Sequence, residues 1–86
     1  MTKFVEAAGS LTNTTASLAA KERRGLIVGN PSDTVMTLRF GATASATAGV
    51  PVAAGDVLAL MGRNAPSDSV SLFCAGTAKA YTMYEW

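Results

Sequence analysis

The chain has 86 residues, 49% of them hydrophobic and only 15% charged, with a net charge of +1, no His and one Cys. A chain this short holds one small core, burying roughly 60–65% of the surface its extended form would expose, so it is a single domain spanning 1–86. The near-neutral charge offers no field to attract nucleic acid or anionic lipid, the missing His removes imidazole bases and most zinc sites, and the lone Cys excludes an intramolecular disulfide.

The opening stretch MTKFVEAAGSLTNTT contains no continuous apolar run, so neither a secretory signal nor a membrane segment is expected. Residues 1–18 read as an extended N-terminal arm or an edge strand, and the Thr-rich part from Thr12 to Leu18 suits a strand because β-branched residues do. A short helix over Thr15 to Arg23 competes by propensity. The charges of Lys21-Glu22-Arg23-Arg24 read as a solvated turn or an interface rim.

Strand patterns follow. Leu26 and Val28 alternate with Ile27, and Met36, Leu38 and Phe40 alternate with Val35, Thr37 and Arg39. Between them, Asn30-Pro31-Ser32-Asp33 places Pro where a four-residue turn wants its fixed φ, which predicts a hairpin. The run ATASATAGVPVAAG after Gly41 is too long for a bare hairpin and poor in reactive groups, so it is expected to pack closely against another subunit. Within it Val50-Pro51-Val52 reads as an edge segment, since Pro51 has no N–H for a ladder. A strand from Val57 to Met61 comes next, then a polar loop from Gly62 to Asp68. Val70, Leu72 and Cys74 alternate with Ser69, Ser71 and Phe73, Gly76-Thr77 predicts a second hairpin, and Ala78 to Glu85 closes the chain as another strand. The fold class is all-β: a compact antiparallel β-sandwich or jelly-roll-like barrel of about seven to eight short strands.

Chemistry is sparse. The carboxylates Glu6, Glu22, Asp33, Asp56, Asp68 and Glu85 lie in separate turns and termini without motif spacing, and the glycines form no phosphate-binding loop. Cys74 sits in an apolar strand, where a thiol is normally inert. No catalytic residue, cofactor or metal ligand is assigned, and the chain is not expected to be an enzyme. A charge-poor β-domain with open sheet edges is instead expected to associate with copies of itself or a scaffold. The candidate subunit-interface residues are Phe4, Val50, Val52, Tyr81, Tyr84 and Trp86, the aromatics because such side chains anchor interfaces.

Together the segments Arg24-Gly25-Leu26-Ile27-Val28, Asn30-Pro31-Ser32-Asp33, Arg39-Phe40-Gly41, Ala44-Ser45-Ala46, Gly49-Val50-Pro51-Val52-Ala53-Ala54-Gly55 and the aromatic C-terminal strand resemble small virion proteins of tailed bacteriophages. The resemblance implies a β-sandwich on a virus particle, made in the host cytoplasm and resident in the virion. It implies a capsid decoration (cement) protein that binds the major capsid protein or other virion subunits, as a homo-oligomer with a trimer favoured, and without nucleic acid or membrane as partner. The alternatives are another head, neck or tail appendage component, or a glycan-binding adhesion module stacking sugars on Tyr81, Tyr84 or Trp86. The Thr-rich segment from Thr2 to Leu18 would then serve as an arm adding a strand to a neighbour.

Overall fold

A computed structural model describes residues 3–86. Eight strands form: β1 (Val5–Leu11), β2 (Thr14–Leu18), β3 (Gly25–Gly29), β4 (Met36–Phe40), β5 (Val50–Val52), β6 (Val57–Met61), β7 (Val70–Cys74) and β8 (Lys79–Glu85), with one 3₁₀ turn at Gly62–Asn64. They lie in two four-stranded sheets, β1-β8-β3-β6 and β2-β7-β4-β5, in which every neighbouring pair is antiparallel. First pairs with eighth, second with seventh, third with sixth and fourth with fifth. This is one long hairpin rolled up until its strands fall alternately into two packed sheets, the topology of a jelly roll.

The period-2 pattern explains the layers. Leu26, Val28, Met36, Leu38, Val70, Leu72, Cys74 and Met83 are completely buried between the sheets, with Leu11, Leu18 and Val52 closing the ends of the core. Each fully buried aliphatic side chain contributes about 1.5–3 kcal/mol relative to exposure, and the core positions come from seven of the eight strands. The core therefore depends on both sheets at once.

Two expectations about connections are corrected. The Asn30–Asp33 and Gly76–Thr77 turns are not hairpins but arches that cross from one sheet to the other; only the β4–β5 connection stays within a sheet. At the first arch Asn30 is buried, and its Nδ2 donates to the carbonyls of Thr34 and Val52 at 2.9 Å and of Ala53 at 3.3 Å, while its Oδ1 accepts from the Ser32 amide and hydroxyl. One side chain thus ties the β3–β4 arch to the β5–β6 arch. At the other, the Gly76 amide donates to Asn13 Oδ1 and the Ala78 amide to Thr12 Oγ1, joining the β7–β8 arch to the β1–β2 corner.

The segment from Val5 to Leu18 forms two edge strands, one in each sheet of its own subunit, and the helix over Thr15 to Arg23 does not form. Met1 and Thr2, the start of the expected arm, lie outside the described residues. The Ala/Thr/Gly connection folds back over its own subunit: Ala44 is buried and its amide donates to the Ser71 hydroxyl at 2.9 Å, and Arg39 Nη1 reaches the Thr43 carbonyl. Gly49 has φ +136, and a Cβ there would stand 2.6 Å from the Leu38 carbonyl oxygen and from Thr37 Cγ2. Small residues are required because the loop lies directly on β4 and β7, covering part of the outer face of that sheet.

The charged run is also more than a solvated turn. Arg23 is buried, donating from Nε to Glu85 at 2.9 Å, from Nη1 to the carbonyls of Pro66 and Asp68, and from Nη2 to the Ala19 carbonyl. It fastens two loops to the end of β8.

Candidate functional site

The outer face of the β1-β8-β3-β6 sheet has no such cover. Pairing registers set its side chains in rows: Trp86, Gly25 and Met61 in one, with Phe4 stacked against Trp86; Glu6, Tyr84, Ile27 and Ala59 in the next; Ala8, Thr82, Gly29 and Val57 in the third. Among these Glu6 is the only charged residue. An antiparallel sheet facing water normally alternates apolar-in with polar-out, so a nearly uncharged outer face is a departure that marks a contact surface.

Its large side chains remain accessible: Phe4 is 56% exposed, Met61 54% and Val57 67%. Trp86 continues β8, its amide donating to the Gly25 carbonyl, and its indole rests on Gly25, where an added Cβ would meet the ring at 2.1 Å. Phe4 stacks on it with ring centroids 4.7 Å apart. Gly25 is thus the seat of the indole. The Tyr84 hydroxyl donates to Glu6, and this hydrogen bond to a carboxylate holds the phenol above its ordinary pKa. The one charge on the face is capped by a neighbour.

Of the six candidate interface residues, Phe4, Tyr84 and Trp86 come together here. Tyr81 points the other way, packing against the core, and Val52 is itself core, 4% exposed and so withdrawn from any partner. Val50 is exposed on β5, an edge of the other sheet. The residues that the sequence reading missed are Ile27, Val57, Ala59 and Met61. Their signal was present: β3 and β6 are apolar in both phases, as Leu26-Ile27-Val28 and Val57-Leu58-Ala59-Leu60-Met61, and continuous runs are what a strand covered on both faces carries.

Nothing here assembles a catalytic pair. Asp33 bonds to Lys79, Glu85 to Arg23 and Glu6 to Tyr84. Among the described residues no three His, Cys, Asp or Glu side chains are grouped to hold a metal ion, and no helix is long and apolar enough to cross a membrane. Burial pushes the Cys74 thiol up, away from the reactive thiolate. On the other sheet an open groove of about 670 Å³ lies between β2 and the covering loop, lined by Thr15, Ser17, Thr43, Ser71 and neighbouring small residues without a titratable group.

No protein-family model matches the chain, and no curated protein matches it. Among solved structures it is similar to a chain of Bacillus endospore appendages, described as forming a novel family of disulfide-linked pili. The match has 18% sequence identity and a TM-score of 0.52 over 96% of this chain and 84% of that one. At that identity the likeness establishes a shared fold.

Proposed function

We propose that the chain is a non-enzymatic structural subunit that works by laying the outer face of its β1-β8-β3-β6 sheet on another protein subunit of a large assembly. The observation that carries this is the asymmetry between the sheets: one outer face is polar and partly covered by the chain's own loop, the other is apolar and open. In its finer form the assembly is a tailed-phage head, the partner is the major capsid protein, and the subunit is a cement protein made in the host cytoplasm and resident in the virion. The resemblance of the turn and strand segments supports that form, as does the jelly-roll architecture, which recurs in viral capsid domains.

A pilus-like appendage subunit is the second reading, favoured by the fold shared with the endospore appendage chain. Cys74 is the only cysteine of this sequence and is fully buried, so it is not placed to form a disulfide between folded copies. The glycan-binding alternative is weakened because Trp86 is flanked by Gly25 and Phe4, which leaves no free indole face for a sugar.

Thermal and osmotic rupture of phage heads with and without the protein separates the two readings. Earlier rupture of stripped heads, restored by adding wild-type protein but not Ile27→Lys, supports the cement role. Unchanged rupture refutes it, and filaments formed by the purified chain alone would favour the appendage reading.

A further inference from the structure

The four sheet edges are not equally protected. β5 is three residues long and contains Pro51, β2 is rich in Thr and Ser, and β1 carries Glu6 and Gly9. These are the ordinary ways of blunting an edge. β6 has none of them: Val57–Met61 is apolar throughout, with no charge and no proline, and every one of its residues keeps some exposure. It is paired on one side only, with β3.

The charges flanking β6 select its partner. Asp56 precedes the strand and Arg63 follows it; both are exposed, and neither takes part in an ion pair among the described residues. If a second copy of β6 pairs antiparallel about a twofold axis through Ala59, Val57 stands opposite Met61 of that copy. Asp56 then lies opposite its Gly62, the residue before its Arg63 at the start of the 3₁₀ turn. The same contact repeats at the other end by symmetry. A parallel arrangement would set Asp56 against Asp56 and Arg63 against Arg63.

Area leads to the same partner. The open face spans four strands at about 4.8 Å spacing and five residues at about 3.4 Å rise, roughly 300–350 Å². A stable interface needs roughly 800 Å² on each partner, so one copy is too small. Two copies joined at β6 present a continuous eight-stranded face of about 600–700 Å², which approaches that size.

We infer that the chain forms a symmetric homodimer by antiparallel β6–β6 pairing, with an Asp56–Arg63 contact between copies at each end. This goes beyond the docking role proposed above and can fail separately from it, because Ile27→Lys alters the face while leaving the β6 edge intact.

Sedimentation equilibrium of the full chain at low salt, across a concentration series, tests the inference. A concentration-dependent species at twice the 8.8 kDa chain mass is expected. Ala59 is exposed and lies on the axis, so Ala59→Lys sets two like-charged side chains directly opposite each other, with Cα atoms about 5.5 Å apart, and raises the dimer Kd at least about tenfold. Asp56→Arg raises it as well, and Asp56→Arg combined with Arg63→Asp restores it. In the unmodified chain, hydrogen exchange at residues 57–61 slows as concentration rises. A monomer at all concentrations, a trimer, or a dimer indifferent to Ala59→Lys and to the charge exchange overturns the inference.

Discussion

Replacing Arg23 with Met tests whether the buried guanidinium holds the end of the sandwich together. Its side chain is completely shielded and donates four hydrogen bonds, to Glu85 and to the carbonyls of Ala19, Pro66 and Asp68. Met fills much of the same volume but leaves three carbonyls without their donor and a carboxylate 7% exposed without its main partner. Removing one member of a buried ion pair costs about 3–5 kcal/mol, because the remaining charge stays desolvated. Lys21, 3.6 Å from the other Glu85 oxygen and half exposed, stays as a partial counter-charge, which favours the lower end of that range. For a domain of this size each kcal/mol shifts Tm by about 4–8 °C, so a fall of roughly 12–25 °C is expected by calorimetry. The double variant Arg23→Met/Glu85→Leu should recover a substantial part of the loss, since an apolar pair of similar volume replaces a buried ion pair at little cost. A loss below about 1 kcal/mol for the single variant, or strict additivity in the double, would refute the reasoning.

Asn30→Ala removes the donor to three carbonyls at the paired arches and should cost about 2–4 kcal/mol, seen in urea as a lower midpoint with an unchanged slope. Gly49→Val forces a Cβ against β4 at positive φ; it should destabilise by more than about 2 kcal/mol and raise exchange at the Ala44 amide as the loop lifts. Lys79 and Thr34, hydrogen-bonded to Asp33, hold its carboxyl below the ordinary value, so their stabilisation is present above about pH 4 and lost as pH falls through the depressed value. Lys79→Met should flatten that acid limb in a Tm-against-pH series. Tyr84 shows the opposite sign: its raised pKa gives stability that is complete below about pH 10 and lost as pH climbs through the folded value, and Glu6→Gln should lower its tyrosinate titration by ultraviolet absorbance.

The core was legible because alternation is a local property: Leu26 and Val28, or Met36 and Leu38, declare a buried face within five residues. Which sheet a strand joins is not local. Asn30-Pro31 supplies the same fixed φ and side-chain bonds to a tight hairpin and to an arch between sheets, and only the partners of β3 and β4 distinguish the two. Arg23 misled for a related reason, since a run of four charged residues in a turn reads as solvated until a carboxylate 62 positions later is found beside it. The long Ala/Thr/Gly connection showed that it must pack closely, but not that its surface of contact is its own β4 and β7. On the open face the aromatics drew notice by type, whereas Ile27 and Val57 passed as ordinary strand residues because one apolar phase was taken to account for both.

The loop that seals one side of the roll gives the molecule a front and a back. A subunit adhesive on both faces would stack without limit; with one adhesive face, a copy laid down on a partner has no second apolar face on which the next copy could settle. On the docking role proposed above, the loop thereby limits the chain to a coat one molecule deep.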